Sequence, residues 1–151
     1  MLDWQNINTW EVLVVDDEPD NRAVIEDVLE FYGMTVKSAQ DGEEGLEVLQ
    51  TFMPTLILLD LSMPKMDGWE MFRRVKSVPT LQKVPVVALT AHAMPGDKKR
   101  VLAAGFDGYL KKPITVATLI QDLRATLEKK TVAGLIPACK ENGKDSVDAL
   151  I

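Results

Sequence analysis

The sequence predicts an α/β domain in which a parallel sheet is covered by helices on both faces. Short apolar runs alternate with longer amphipathic segments five times along the chain, and such alternation is typical of this fold class. The runs Val12–Val15 and Leu56–Leu59 contain apolar residues only, as expected of strands that are buried on both faces. Each strand–helix unit takes about 20 to 25 residues, which leaves room only for short connections.

Five strands are predicted where apolar and β-branched residues cluster between turn residues. The first and third contain the two fully apolar runs, and the third continues to an aspartate. The fourth includes the segment VPVVALT and is the longest of the five. The predicted strands are Val12–Val15, Thr35–Ser38, Leu56–Asp60, Val84–Thr90 and Tyr109–Leu110.

Five helices are predicted from the spacing of apolar residues between and after these strands. Pro19 stands where the first helix starts, and Gly33 follows its end, as these residue types do at helix termini. The last helix is the most periodic, because its apolar residues recur on one face. The predicted helices are Asp20–Tyr32, Glu43–Phe52, Trp69–Lys76, Gly96–Ala104 and Val116–Lys130.

Size and composition are those of one domain. The chain has 151 residues, of which 46% are hydrophobic, and this is enough for a core of ordinary size. We assign residues 11–130 to the domain and residues 1–10 to an N-terminal extension. Residues 131–151, where the alternation stops, are assigned to a C-terminal tail.

Charge and cysteine content narrow the class of protein. The formal net charge is -6 and the pI is near 4.8, so nucleic acid, whose binding requires clustered Lys and Arg, is not expected as a partner. No segment approaches the roughly 18 apolar residues that a membrane span requires, and residues 1–10 lack the features of a signal peptide. Cys139 is the only cysteine, which favours a reducing compartment. We therefore expect a cytoplasmic protein without a membrane partner.

Acidic residues stand where the first and third predicted strands end. Asp16 and Asp17 follow the first strand, and Asp60 ends the third. Ligands of open α/β sheets bind at the carboxyl ends of the strands, so we expect these three carboxylates to lie together. Helix capping would explain one of them but not all three. Carboxylates and water are the ligands that Mg²⁺ prefers, and the sequence therefore predicts a magnesium site with phosphate chemistry.

Polar residues also end the fourth and fifth strands. Thr90 ends the fourth strand, where its hydroxyl can donate to a phosphoryl oxygen. Lys112 follows the fifth strand, where its ammonium group can neutralise phosphoryl charge. Strand alternation directs its neighbour, Lys111, the other way. The Lys112–Pro113 bond is a candidate for the cis form, which is largely confined to proline.

The segments VLVVDDEPDN, LILLDLSMPKMDG, ALTAHAM and GYLKKPI together closely resemble the receiver domain of two-component response regulators. The resemblance extends over residues 11–130 and includes the order and spacing of the acid pair, the single acid, the hydroxyl and the lysine. It implies a flavodoxin-like sheet of five parallel strands in the order 2-1-3-4-5.

The resemblance also implies a role for each polar residue. Asp60 would accept a phosphoryl group from a phosphohistidine, and Thr90 and Lys112 would bind the phosphoryl oxygens. Thr90 and Tyr109 would form a switch that changes the surface of the fourth and fifth helices. The residues that would hold Mg²⁺ are Asp16, Asp17, Asp60 and, through its backbone carbonyl, Ser62.

The partners implied by the resemblance are proteins. A histidine kinase or a histidine phosphotransfer protein would donate the phosphoryl group, contacting the first helix near Asn21 and Arg22 and the loop around Pro113. A downstream protein would recognise the changed surface, and phosphorylation would promote a homodimer. His92, the only histidine, would either border the pocket and tune access of the hydrolytic water or have no role.

Alternatives differ in how this domain would be used. A stand-alone regulator is preferred, and a receiver fragment of a hybrid histidine kinase is the nearest alternative, since ALTAHAMPGDKKR resembles both. A pseudo-receiver that binds partners without phosphorylation would usually have lost a key residue. A phosphohydrolase of the haloacid-dehalogenase type carries an Asp-x-Asp pattern after its first strand, which residues 16–19 (DDEP) lack. We therefore expect no enzyme beyond a domain that assists its own phosphorylation and dephosphorylation.

Overall fold

The computed structural model describes residues 2–63, 66–91 and 97–135. Its sheet has five parallel strands in the order β2-β1-β3-β4-β5, which confirms the predicted fold class and strand order. In chain order the elements are a 3-10 helix at Trp4–Thr9, β1 (Glu11–Val15), α1 (Pro19–Phe31), β2 (Thr35–Ala39), α2 (Gly42–Val48), β3 (Leu56–Asp60), α3 (Gly68–Lys76), β4 (Val86–Thr90), α4 (Asp97–Ala103), β5 (Gly108–Lys111) and α5 (Leu119–Leu135).

The sheet is buried on both faces, as the unbroken apolar runs predict. All five residues of β3 and all five of β4 are buried. Alternate residues contribute to two separate clusters, so that Ile57 packs on one face with Met71 and Phe106. Leu58 packs on the other face with residues of α1 and α5. These layers fix the central strands, and therefore also fix the loops that leave their carboxyl ends.

Side chains before α2 and α3 stabilise the first turns of these helices. Asp41 accepts a hydrogen bond from the backbone N–H of Glu44 at 2.9 Å, and Asp67 accepts one from that of Glu70 at 2.9 Å. Both are N-caps that satisfy a helix N–H left without an intrahelical partner. In contrast, α1 begins at Pro19 and the residue before it, Glu18, makes no capping hydrogen bond through its side chain.

Two predicted elements start more than one residue away from their observed start. The fourth strand begins at Val86 rather than Val84, because the backbone N–H of Val84 donates to Leu81 in a turn and Pro85 has no N–H. The last helix begins at Leu119 rather than Val116. Residues 116–118 form a turn, and Val116, the first residue of the predicted helix, is 68% exposed.

Two predicted helices end more than one residue away from their observed end. The second helix ends at Val48 rather than Phe52, and the following residues form a turn. The last helix continues to Leu135, beyond the predicted end at Lys130. The fourth helix is described from Asp97 onward, so its predicted first residue, Gly96, lies outside the described residues. So do His92, Cys139 and the remainder of the predicted tail from residue 136.

The N-terminal segment packs against the domain. Trp10 is buried, and its ring lies 4.7 Å from that of Trp4 in an edge-on arrangement. The guanidinium of Arg124 on α5 lies over the Trp4 ring at 5.4 Å. Residues 2–10 therefore cover apolar residues between β1, α1 and α5. Among the residues that the structure describes, no helix is both long and apolar enough to cross a bilayer.

Candidate functional site

Three carboxylates meet at the carboxyl ends of β1 and β3. These strands pair in parallel with Val15 opposite Leu59, so the residues that follow, Asp16 and Asp60, emerge side by side. One carboxylate oxygen from each of Asp16, Asp17 and Asp60 lies within 4.8 Å of the others. The structure thus brings together the three acids that the sequence predicted to lie together.

The acids differ in their exposure to solvent. Asp16 and Asp60 are buried, with 0% and 1% of their surfaces exposed, whereas Asp17 is more open to solvent. Two buried carboxylates within 4.8 Å of each other repel and have lost hydration, so each requires a compensating partner.

Lys112 supplies that compensation from the end of β5. Its Nζ lies 3.1 Å from Asp16 Oδ2 and 3.1 Å from Asp60 Oδ2. Its backbone N–H donates to the carbonyl of Thr90 at 2.8 Å, which anchors it beside β4. The Lys112–Pro113 bond is cis, as expected for this site. Lys111 is exposed, in agreement with the predicted alternation.

The Asp60 carboxyl group has a strongly perturbed pKa. Burial is the main cause and raises the pKa from 3.8 to about 7, with a further contribution from the negative charge of Asp16. The backbone N–H of Ser62, which donates to Asp60 Oδ1 at 3.1 Å, and the ammonium of Lys112 act in the opposite direction. Ionising Asp60 is therefore costly unless positive charge is added nearby. A pKa perturbed in this way is typical of a residue in a functional site.

Lys112 shows the reciprocal effect. Burial alone would lower its pKa, but the charges of Asp16 and Asp60 outweigh burial and raise the pKa above its ordinary value. The ammonium group is therefore charged throughout the neutral range, and it is fixed between two acids with 9% of its side chain exposed.

Thr90 and Tyr109 lie on the neighbouring strands. Thr90 is buried at the last position of β4, one residue beyond Leu89, which pairs with Asp60. Tyr109 is partly buried and packs against the cluster on the α3 side of the sheet. Its backbone N–H donates to Thr126 Oγ1 at 3.0 Å. The two residues thus occupy neighbouring strands, as the predicted switch requires, and the switch itself stays a prediction.

Gly68 is a site residue that the sequence argument did not single out. A Cβ atom at this position would lie 2.2 Å from the backbone carbonyl oxygen of Asp60, far inside any van der Waals contact. The N–H of Gly68 donates to the carbonyl of Leu61 at 3.2 Å. The first turn of α3 therefore lies directly against the peptide group of Asp60.

Three polar residues at the start of α1 also contact the site, of which Glu18 was missed and Asn21 and Arg22 were predicted only as a donor contact. Glu18 Oε1 accepts from Lys112 Nζ at 3.2 Å and from Asn21 Nδ2 at 2.6 Å. Arg22 Nη1 donates to the backbone carbonyl of Asp16 at 2.6 Å. The one signal in the sequence is that Glu18 directly follows the acid pair. Asn21 and Arg22 follow one helical turn later.

The cluster has the composition of a site for a hard divalent cation. Carboxylate oxygens are the ligands such a cation prefers. Asp16 Oδ2 is buried and accepts no hydrogen bond within the described part of the chain, although Lys112 Nζ lies 3.1 Å away. A buried anionic oxygen with an unused lone pair beside two further acids fits a metal ligand.

Comparison with known proteins identifies relatives of the whole domain. The family model of the response regulator receiver domain matches residues 12–124. The chain is 33% identical to the polar-differentiation response regulator DivK of Brucella ovis over 119 residues, which are 79% of this chain and 97% of that protein. It is 38% identical to the sensor histidine kinase RcsC of Salmonella typhimurium over 118 residues, where it spans only 12% of that protein.

Solved structures show the same fold. The chemotaxis response regulator CheY4 of Vibrio cholerae superposes with a TM-score of 0.73 at 32% identity, covering 79% of this chain and 99% of that one. The receiver domain of a sensor histidine kinase from Pseudomonas aeruginosa superposes with a TM-score of 0.68 at 34% identity, covering 79% and 98%. That structure contains a magnesium ion coordinated in its active-site cleft.

Proposed function

This chain belongs to the response regulator receiver domain family of two-component signalling, and we propose that it is the phosphoacceptor of a phosphorelay. Asp60 is the residue that accepts the phosphoryl group. The observation that carries the proposal is the position of Lys112, whose ammonium lies 3.1 Å from both Asp16 and Asp60 where three strands end. Such a fixed positive charge beside a carboxylate suits transfer of a dianionic group.

Asp60 acts as the nucleophile. One of its carboxylate oxygens attacks phosphorus, the new O–P bond forms as the P–N bond to a histidine imidazole breaks, and the imidazole leaves with the bonding electron pair. The product is an acyl phosphate, which water can later hydrolyse to regenerate the carboxylate. Lys112 and the hydroxyl of Thr90 bind the phosphoryl oxygens, so the protein contributes positioning and charge rather than further bond making.

Mg²⁺ is the proposed cofactor. The residues that would hold it are Asp16, Asp17, Asp60 and the backbone carbonyl of Ser62. When bound, the ion would supply positive charge that favours the ionised Asp60 and the transferring phosphoryl group. The raised pKa of Asp60 supports this assignment, since two buried acids need more positive charge than Lys112 alone provides.

The output of the domain is a changed protein surface. Phosphorylation adds negative charge beside Thr90, and we propose that the Thr90 hydroxyl moves toward Asp60 while Tyr109 turns into the space it leaves. The surface of α4, β5 and α5 then changes, as a two-state element biased by added charge. A histidine kinase or histidine phosphotransfer protein would be the donor, and the chain would act in the cytoplasm. A downstream protein or a second copy of the chain would recognise the phosphorylated state.

The test is phosphorylation by acetyl phosphate with and without Mg²⁺, followed by intact mass. We expect a single Mg²⁺-dependent phosphoryl adduct in the wild-type chain and none in Asp60→Asn, because the amide is not a nucleophile for this transfer. Asp20→Asn, which removes an exposed carboxylate from the first turn of α1, is the matched control and should form the adduct. An adduct that persists in Asp60→Asn would contradict the assignment.

A further inference from the structure

Lys112 is surrounded by three carboxylates rather than two. Its Nζ lies 3.1 Å from Asp16, 3.1 Å from Asp60 and 3.2 Å from Glu18. The ammonium donates hydrogen bonds to Asp60 and Glu18 and forms an ion pair with Asp16. A phosphoryl oxygen that binds Lys112 therefore competes with these carboxylates for the same positive charge.

The three carboxylates are not equally able to leave. Asp16 and Asp60 have 0% and 2% of their side chains exposed, whereas 62% of the Glu18 side chain is exposed. Asp16 is also fixed by the backbone N–H of Glu18, which donates to its Oδ1 at 2.9 Å, and by Arg22 at its carbonyl. An exposed carboxylate recovers its hydration when it separates from its partner, so its ion pair is weak and reversible. Glu18 is thus the acid whose release costs least.

The position of Glu18 is nevertheless specific. It precedes the first residue of α1, yet its side chain forms no capping hydrogen bond with the helix. Instead, Oε1 accepts from Asn21 Nδ2 at 2.6 Å and from Lys112 Nζ at 3.2 Å. Asn21 therefore directs the carboxylate toward Lys112, which lies 94 residues away in the sequence.

We propose that Glu18, oriented by Asn21, is a positioning residue that competes with the incoming phosphoryl group for Lys112. In the resting site Glu18 holds the ammonium and adds a negative charge at the solvent side of the pocket. During transfer it yields its place to a phosphoryl oxygen. Glu18 thereby weakens capture of anionic phosphodonors and limits phosphorylation by small molecules. This inference rests on the proposed function of Asp60 and Lys112.

The test compares rate constants for phosphorylation by acetyl phosphate at saturating Mg²⁺, measured by intact mass. In Glu18→Gln the neutral amide holds Lys112 less strongly, and the rate constant should rise about two- to fivefold, the range expected for one exposed ion pair. The increase should shrink at high salt, because salt screens an exposed pair. Asp20→Asn removes the same charge at a neighbouring exposed position and should change the rate much less.

A second variant separates the contact of Glu18 with Lys112 from the negative charge of Glu18. Asn21→Ala keeps the Glu18 carboxylate but removes the group that directs it, so its rate constant should also rise, by less than that of Glu18→Gln. An unchanged or lower rate in Glu18→Gln, or an equal rise in Asp20→Asn, would overturn the role of Glu18 while leaving Asp60 as the acceptor. Absence of any adduct in the wild-type chain would overturn the proposed function and this inference together.

Discussion

The two ends of strand β1 differ in the residues that they bury. At the carboxyl ends of β1, β3 and β5, buried charges are brought together, and the pKa of Asp60 is raised to about 7. At the amino end of β1, Trp10 is buried against apolar residues and Trp4 packs on its ring. At the carboxyl end, the buried carboxylates repel one another unless a ligand adds positive charge. At the amino end, the buried tryptophan adds apolar burial and no charge. Along β1, the buried Trp10 and the acids of the candidate site therefore lie at opposite ends of one strand.

The largest effect is expected at the end that contributes burial. Trp10→Ala should lower the free energy of unfolding by about 3 to 5 kcal/mol, because it removes a fully buried ring and leaves a cavity. We expect the phosphorylation rate of the folded fraction to stay unchanged, since Trp10 lies at the opposite end of β1 from Asp16. Urea denaturation and acetyl phosphate labelling measure the two quantities. A large loss of labelling in folded Trp10→Ala protein would show that the two ends are coupled.

A smaller change in the free energy of unfolding is expected when pH alters the charge of Asp60. Between the unfolded pKa of Asp60, near 3.8, and its folded pKa of about 7, the folded state binds more protons than the unfolded state. The free energy of unfolding therefore falls as pH rises through this range. The stabilisation from protonated Asp60 is complete below the unfolded pKa and is lost above the folded one.

Urea denaturation of metal-free protein at several pH values measures this dependence. Asp60→Asn should lack the part of the slope that Asp60 contributes, while Asp20→Asn should retain it. Addition of Mg²⁺ should stabilise the wild-type chain most above pH 7, where Asp60 is ionised. Identical pH profiles for the wild-type chain and Asp60→Asn would contradict the raised pKa.

The smallest change in the free energy of unfolding is expected where α5 contacts the N-terminal segment. Arg124 lies over the Trp4 ring at 5.4 Å and pairs with Glu128 at 2.9 Å, and 56% of its side chain is exposed. Arg124→Ala should therefore cost about 0.5 to 1 kcal/mol, the range for an exposed cation–π contact. Arg124→Lys keeps a positive charge and should lose less. Thermal unfolding measures both, and a loss in Arg124→Ala as large as that of Trp10→Ala would contradict this ranking.

Much of the fold could be predicted because its signals are local. The apolar runs of β1 and β3 mark strands buried on both faces whatever lies around them. The predicted start of α5 was wrong. Val116 has helical spacing to the apolar residues that follow, but residues 116–118 form an exposed turn. Periodicity alone does not distinguish a residue on the buried face from one just before the helix.

The candidate site also has a part that the sequence could predict and a part that it could not. The meeting of Asp16 and Asp60 follows from neighbouring parallel strands that end at one edge, so the strand order predicts it. The contacts of Lys112, which follows β5 two strands from β3, depend in addition on the length and conformation of its side chain. The contact between Glu18 and Lys112 could not be predicted, because it depends on a side-chain conformation selected by Asn21 and on a partner distant in the sequence. Gly68 was overlooked for a similar reason, since only the folded chain shows that a Cβ at this position would clash with the Asp60 carbonyl.

That close approach has a mechanical consequence. Because a Cβ at Gly68 would lie 2.2 Å from the Asp60 carbonyl oxygen, α3 rests on the main chain of the acceptor without an intervening side chain. The spacing between the first turn of α3 and the acceptor peptide is therefore set by backbone contact alone. Any larger residue at this position would separate them, and it would displace the nucleophile while leaving every reactive group of the pocket in the sequence.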